Sequence, residues 1–207
     1  ASRADVATPE QVMVDGKRVG EHVLVYDTDG YHVGAALAHK LGLEGAQVAY
    51  LTPFDNIGPY LRFTLEEQRM CEALATAGVE IVSQHLLLAW EPGKATVLRH
   101  WVGAERELAV DGVVVVTQRI SDCALHDELA ARPDELERAG IRGLFLIGDA
   151  DVPGLIAQAT FSGHRLAREI DAPDPATPLP FIRERRLIDG SEADYALDAA
   201  TLTSAIG

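Results

Sequence analysis

The chain has 207 residues, 47% of them hydrophobic, and its 32 acidic against 18 basic residues give a formal net charge of −14. This length suits one α/β domain, or one and a half, and the acidic balance argues against nucleic acid or an anionic membrane as the main partner. The sequence contains no run of about 18 apolar residues that would span a membrane and no signal-peptide pattern near its start, so we expect a cytoplasmic protein.

Residues 1–21 are predicted to be a connecting segment that contains one short helix. Thr8 and Pro9 are residue types preferred at a helix N-cap and at the first helical position. Asp15-Gly16 would end this helix after about two turns. The segment is typical of a chain that arrives from a preceding domain.

Residues 22–120 are predicted to form a Rossmann-like α/β unit. Strands alternate with helices and the connections are short, which predicts a parallel sheet with right-handed crossovers. A three-stranded antiparallel β-meander follows, and an all-apolar buried strand returns after it. This order is typical of a glutathione-reductase-type nucleotide-binding domain. The predicted strands are 23–26, 47–51, 79–83, 86–90, 95–102, 106–109 and 112–117, and the predicted helices are 31–41 and 64–77.

The remaining chain is predicted to contain one further strand between two helices, followed by a tail. The predicted helices are 122–131 and 153–170, the latter beginning at Pro153, and the strand is 143–147. Residues 172–207 are predicted to be a proline-rich linker and C-terminal tail, with a short acidic helix over 192–204.

The turn after the first long strand, "YDTDGYHVG", is the first candidate site. A dinucleotide-binding turn uses glycines for a tight bend, for close approach of the backbone to the pyrophosphate and for helix–strand packing. Gly30 and Gly34 keep two of these positions, and Thr28 replaces the first glycine. Asp27 and Asp29 would repel a phosphate by about 1 kcal/mol in water and about 4 kcal/mol at an effective dielectric of 20. Asp29 is also expected to cap the following helix.

The end of the next strand lacks the second feature of a dinucleotide site. An acidic residue there would bind the ribose hydroxyls of NAD, and a nearby arginine would accommodate the 2′-phosphate of NADP. The strand ends in Tyr50-Leu51-Thr52-Pro53, with Asp55 beyond the proline and Arg62 further along. We therefore expect a turn that does not bind NAD(P)H, with a degenerate turn that retains some nucleotide as the alternative.

Two segments together resemble a known family. "VLVYDTDGYHVGAALAHKLGLEGAQVAYLTP" and "LFLIGDADVPGLIAQATFSGHRLAREID" are similar to the C-terminal half of the trimethylamine dehydrogenase family, which includes dimethylamine and histamine dehydrogenases and is related to 2,4-dienoyl-CoA reductase. The resemblance covers roughly residues 5–188. It implies FMN/iron–sulfur oxidoreductases of the old-yellow-enzyme type, in which a TIM barrel holds the FMN and the cluster.

The resemblance implies that this chain is one part of such an enzyme. Residues 22–120 would correspond to the NADPH-like domain, and residues 121–171 to the returning piece of an FAD/ADP-binding-like domain. The TIM barrel and the first half of the FAD-like domain are expected in the same polypeptide or in another subunit. An electron-transfer flavoprotein is a possible external partner.

The same resemblance implies a partial site for ADP or FAD in the second segment. Gly148, Asp149 and Ala150 would contact the nucleotide, with the Asp149 carboxylate near the ribityl or pyrophosphate region and a helix N-terminus facing a phosphate. The alternative is that Asp149 or Asp151 only caps the helix that follows.

We therefore expect the C-terminal nucleotide-binding-like region of a flavin-dependent amine dehydrogenase. This chain alone is expected to be non-catalytic, without catalytic or metal-binding residues, since its two cysteines, Cys71 and Cys123, are too few for an iron–sulfur cluster. One alternative is the NAD(P)H-binding domain of an enzyme like 2,4-dienoyl-CoA reductase. The other is a non-catalytic subunit that docks onto a barrel partner.

Overall fold

A computed structural model describes residues 3–179. The predicted helix 192–204 and the greater part of the predicted tail lie outside the described residues. The chain divides into two compact units, Ala1–Arg119 and Ile120–Gly207.

The first unit is built on a five-stranded parallel sheet and a separate three-stranded antiparallel sheet. The strands are β1 Val6–Ala7, β2 His22–Asp27, β3 Gln47–Leu51, β4 Glu80–Val82, β5 His85–Glu91, β6 Gly93–Arg99, β7 Ala104–Val110 and β8 Gly112–Val116. The parallel sheet has the strand order β1-β8-β2-β3-β4, and the antiparallel sheet has the order β5-β6-β7. The helices are α1 Pro9–Met13, α2 His32–Leu43, α3 Leu61–Thr64 and α4 Glu67–Thr76.

The central strands of the parallel sheet are buried on both faces because apolar residues follow one another without polar interruption. Alternate residues of β2 enter two different clusters. Val23 and Val25 pack with α2 and α4 on one face, whereas Leu24 packs with residues of β6 and β8 on the other. The α/β class, the parallel sheet and the antiparallel meander are therefore confirmed.

The N-terminal segment contributes a strand that the sequence analysis did not predict. Val6 and Ala7 pair in parallel with Val113 and Val114 at the edge of the sheet. The predicted cap of α1 is present, because the Thr8 Oγ1 accepts from the amide of Gln11 at 3.3 Å. Two residues give too short an apolar run for periodicity to identify as a strand.

The predicted helix 64–77 corresponds to α4, which begins only at Glu67, and Leu65 separates it from the short helix α3. This residue has φ +61°, a left-handed conformation that ends a helix and that a non-glycine residue rarely adopts. The backbone of Glu66 closes the turn by donating to the carbonyl of Leu61 at 3.0 Å. Leucine is a good helix former, so the residue type at this position does not predict the break.

The second unit is helical in its described part, with α5 Ala124–Ala130, α6 Pro133–Arg138 and α7 Ile156–Glu169. The predicted strand 143–147 is wrong for the described chain, and α7 begins at Ile156, not at Pro153. A strand needs a neighbour for its backbone N–H and C=O groups, and residues 120–179 contain no other strand. None of these residues is buried.

Candidate functional site

The turn after β2 is organised around the carboxylate of Asp27, the last residue of that strand. Its Oδ1 accepts from the backbone amides of Asp29 at 2.9 Å and of Gly30 at 3.0 Å. Its Oδ2 accepts from the hydroxyl of Tyr50 at 2.6 Å. The residue is 0% exposed. Two backbone amides and a hydroxyl therefore converge on one buried carboxylate.

The position of Tyr50 follows from the register of the sheet. Val25 of β2 is opposite Tyr50 of β3, and Asp27 lies two residues beyond Val25, on the same face. The Asp27 carboxylate and the Tyr50 hydroxyl are thus diagonal neighbours at the carboxyl ends of adjacent strands. The signal in the sequence is an aspartate at the end of one buried strand and a tyrosine near the end of the next.

The two glycines of the turn serve this arrangement. A Cβ on Gly34 would lie 2.2 Å from Asp27 Oδ2, so only glycine lets the carboxylate lie against α2. Gly30 has φ +74°, and a Cβ there would lie 2.8 Å from the ring of Phe54. The structure therefore accounts for both glycines by contacts within the chain.

The side chain of Asp29 does not accept a hydrogen bond from the first backbone amides of α2. The N-cap of α2 is Tyr31, without a side-chain cap hydrogen bond, so the prediction that Asp29 caps this helix is wrong. Asp29 contributes its backbone amide to Asp27 instead. An aspartate at the strand end reaches back over its own turn, as an Asx turn does, before the helix begins.

Burial and hydrogen bonding act in opposite directions on Asp27. Desolvation raises the pKa of the Asp27 carboxyl above its usual value, whereas the hydrogen bonds from Tyr50, Gly30 and Asp29 lower it, and burial is the larger effect. Burial, together with the charge of Asp27, raises the pKa of Tyr50 far above its usual range. Tyr50 is therefore held as a hydroxyl that donates.

A pH-dependent stability difference follows for Asp27→Asn. Because the folded pKa of Asp27 is raised, its contribution is fully present below the unfolded pKa and is lost as pH rises through the folded pKa. Asparagine does not titrate. We expect the free energy of unfolding of Asp27→Asn to increase relative to that of the wild type as pH rises from about 3 to about 7.

Asp111→Asn is the matched control for this measurement, since Asp111 also accepts from two backbone amides, those of Glu21 and His22. Its pKa is lowered, chiefly by the bond from His22. Its contribution is thus present above the unfolded pKa and is lost as pH falls, so the two variants should show opposite slopes. The free energy of unfolding is measured by denaturant titration at each pH. If it changes with pH in the same direction for both variants relative to the wild type, the assignment for Asp27 is contradicted.

The end of β3 offers no ribose or 2′-phosphate ligand of the usual kind. Thr52 is buried, and its hydroxyl accepts from the amide of Phe54 at 3.3 Å. The guanidinium of Arg62 lies 3.0 Å from Glu67 and 3.6 Å from Asp55. The end of β3 thus has no acidic residue, and the nearby arginine is paired with Glu67 and Asp55.

The second candidate site lies in the other unit, where Gly148, Asp149 and Ala150 form a single 3₁₀ turn. Gly148 has φ +60°, which favours glycine. Its amide donates to the hydroxyl of Ser162 at 2.7 Å. The exposed carboxylate of Asp149 accepts from the amide of Gly154 at 3.2 Å.

Asp149 does not cap α7. The N-cap of that helix is Leu155, whose amide donates to the Gln158 side chain at 3.0 Å. Asp149 instead closes the loop that precedes the helix. One carboxylate oxygen is engaged there and the side chain is exposed, an arrangement that fits an acceptor for a hydroxyl group of a ligand.

Within residues 3–179, no group of three or more histidine, cysteine or acidic side chains is placed to hold a metal ion. Over the same residues, no helix has both the length and the apolar composition that a bilayer crossing requires.

The fold and the first site define an α/β domain with a parallel sheet, a separate antiparallel sheet and a turn that hydrogen-bonds its own carboxylate. Residues 7–120 match the family described as the OYE-like second alpha/beta domain. The chain belongs to this family, and its resemblance to the amine dehydrogenases of the old-yellow-enzyme type is confirmed.

Three relatives illustrate the family. The chain is 35% identical to dimethylamine dehydrogenase from Hyphomicrobium sp. (strain x), over 90% of this chain and 28% of the relative. It matches the structure of histamine dehydrogenase from Rhizobium sp. 4-9 with TM-score 0.80 and 34% identity, over 88% of this chain and 29% of that one. It matches 6-hydroxypseudooxynicotine amine oxidase from Pseudomonas geniculata N1 with TM-score 0.70 and 36% identity, over 77% and 23%.

The chain therefore spans about a quarter of the length of these relatives. A further match, to a 2-naphthoyl-CoA reductase with TM-score 0.59 and 15% identity, shows a shared fold.

Proposed function

We propose that this chain is the C-terminal nucleotide-binding-like region of a flavin-dependent, amine dehydrogenase-type oxidoreductase. The observation that carries the proposal is the identity of 34–36% to two amine dehydrogenases and an amine oxidase, while the chain spans only 23–29% of their lengths. FMN, the iron–sulfur cluster and the oxidation of the amine belong to the remainder of the enzyme. This region supplies structural support and part of an adenine-nucleotide site.

The remainder is expected to cover the second unit. The described residues of that unit have no buried side chain, and α7 leaves Ile156 87% and Phe161 65% exposed. A helical piece with such a surface needs a partner to form a core. We assign residues 121–171 to the returning piece of an FAD/ADP-binding-like domain, whose first half lies in the same polypeptide or in another subunit.

The first unit is assigned to the NADPH-domain-like part of a glutathione-reductase-type architecture, over residues 22–120. Residues 1–21 would connect it to the preceding part, and residues 172–207 would form the linker and tail. The order of parallel strands, meander and returning strand supports this assignment. The location is proposed to be the cytoplasm, with an electron-transfer flavoprotein as a possible acceptor of electrons.

Gly148, Asp149 and Ala150 are proposed as this chain's share of an ADP or FAD site. The Asp149 carboxylate is exposed and makes one hydrogen bond, to the amide of Gly154, so it retains capacity to accept from a ribose or ribityl hydroxyl. Because Gly148 donates to Ser162, its amide is not assigned to a phosphate. The nucleotide would be held jointly with the missing half of the domain.

Asp149→Ala tests this assignment in the complete enzyme. We expect retention of ADP or FAD to weaken by about 1.5–3 kcal/mol, the value of a hydrogen bond to a charged group. The stability of the 207-residue chain should change by less than about 1 kcal/mol, because the one bond that is lost is exposed to water. Nucleotide released by acid precipitation measures the first quantity, and denaturant melts measure the second.

Asp151→Ala is the matched control, since Asp151 is an exposed carboxylate two residues away. It should leave both quantities unchanged. Equal nucleotide content in the wild type and Asp149→Ala would reject the role of Asp149, as would equal losses in the two variants.

The cofactor content of the complete enzyme tests the wider proposal. Purified enzyme should contain FMN, iron and an adenine nucleotide, and an enzyme without flavin would contradict the proposal. The two alternatives differ in other measurements. An NAD(P)H-binding domain requires nicotinamide binding, whereas a docking subunit requires that the gene encode only this region.

A further inference from the structure

The carboxylate of Asp27 is the centre of a buried hydrogen-bond cluster in the first unit. It is fully buried, and three donors from three different residues converge on its two oxygens at 2.6–3.0 Å. Convergent backbone amides of this kind form concave anion sites in proteins. The donors are two turn amides and one side-chain hydroxyl, and none belongs to α2, which begins at His32.

The surroundings are shaped to the carboxylate group. Gly34 leaves no space for even a methyl group beside Asp27 Oδ2. Phe54 covers Gly30 from the other side. The Thr28 amide is not available to a ligand, because it donates to the carbonyl of Val116 at 2.9 Å. The contacts of Thr28 and Gly30 therefore also restrain the turn without the Asp27 side chain.

We infer that the turn after β2 is an oxyanion site that carries its own oxyanion, the side chain of Asp27, and that removal of this side chain opens the site to a small external carboxylate. The external ligand must be a planar carboxyl compound close in size to formate, because it has to fit the space of the Asp27 carboxyl and methylene groups without a covalent bond to the chain. This inference concerns the first unit alone and goes beyond the proposed function, whose failure would leave it unaffected.

Chemical rescue of Asp27→Gly by sodium formate tests the inference in the 207-residue chain. Removing the side chain leaves two amides and a hydroxyl without their acceptor, so we expect a lower Tm than in the wild type. Formate should then raise the Tm in a saturable way, by about 3–6 °C at ten times its dissociation constant. Sodium chloride at equal ionic strength should not reproduce this increase.

Three proteins serve as controls and should respond to formate as they do to chloride. The wild type and Asp27→Asn have the site filled, by a carboxylate and an amide respectively. Asp111→Gly removes another carboxylate with two backbone hydrogen bonds, but that one is exposed, so water replaces it without a defined cavity.

Two results would overturn the inference: an equal response to formate in all four proteins, or the absence of a formate-specific response in Asp27→Gly. If Asp27→Gly does not fold in chloride, its recovery on refolding in formate becomes the measurement, with Asp27→Ala in parallel. Recovery in formate alone would support the inference, and failure of both variants to refold in formate would overturn it.

Discussion

Gly34→Ala is expected to destabilise the wild-type chain by about 1–3 kcal/mol, the usual cost of inserting a methyl group into a filled space. The added Cβ would lie 2.2 Å from Asp27 Oδ2 and 2.8 Å from Asp27 Cβ. The carboxylate has no room to move away, because it is buried and bonded to Gly30, Asp29 and Tyr50.

The same substitution should stabilise Asp27→Gly by up to about 1 kcal/mol. The three nearest atoms that a Cβ on Gly34 would meet belong to Asp27, so these closest contacts disappear with that side chain. Alanine is then favoured over glycine within α2 by its helix propensity. The double-mutant cycle should therefore give a coupling free energy of about 1–4 kcal/mol, which reaches the upper end for residues in contact.

Denaturant unfolding followed by tryptophan fluorescence is suited to this cycle, because both tryptophans, Trp90 and Trp101, lie in the first unit. Ala36→Gly on the same helix is the control. It should cost about 0.5–1 kcal/mol with either residue at position 27. A coupling between Asp27 and Gly34 no larger than that between Asp27 and Ala36 would show that the glycine is not required by the carboxylate.

The fold of the first unit could be predicted from local pattern to a large extent. The strand 47–51 has the predicted bounds, because a five-residue strand with four buried residues stands between clear turn signals. The meander was likewise predictable from its Pro-Gly and Gly turn residues. The break at Leu65 was not predictable, because a left-handed leucine depends on tertiary contacts and not on helix propensity.

The candidate site was predicted only in part. The sequence identified the two glycines and the unfavourable carboxylates of the turn, but it assigned the cap to Asp29 and gave Tyr50 no role. The hydrogen bond between Asp27 and Tyr50 depends on the pairing of β2 with β3, which the residues near the turn do not encode. The dinucleotide pattern explains both glycines by a bound pyrophosphate, whereas in the structure Gly34 makes room for Asp27 and Gly30 for Phe54.

The second unit illustrates a different limit. The segment "GLFLI" has the composition of a buried strand, yet residues 143–147 are not a strand in the described chain. Strand propensity is largely a measure of fit to neighbouring strands. No neighbouring strand is present in residues 120–179, so the local signal has nothing to pair with.

NADH and NADPH are not expected to reduce the flavin of the complete enzyme. Binding of either cofactor at the first unit would place a pyrophosphate at a turn whose Asp29 and Gly30 amides already donate to the buried Asp27. The negative charges of the pyrophosphate and of Asp27 would also repel each other, by about 4 kcal/mol at 4 Å and an effective dielectric of 20. Under the proposed function, electrons reach the flavin from an amine and not from a nicotinamide cofactor.

The most direct test is the anaerobic absorption spectrum of the flavin in the complete enzyme after each reductant is added separately. Under the proposed function, an amine should bleach the flavin, with dimethylamine and histamine as the first probes, and NADH and NADPH at the same concentrations should leave it oxidised. Bleaching by a nicotinamide cofactor at micromolar concentration, with no response to any amine, would contradict the account and favour an NAD(P)H-dependent reductase.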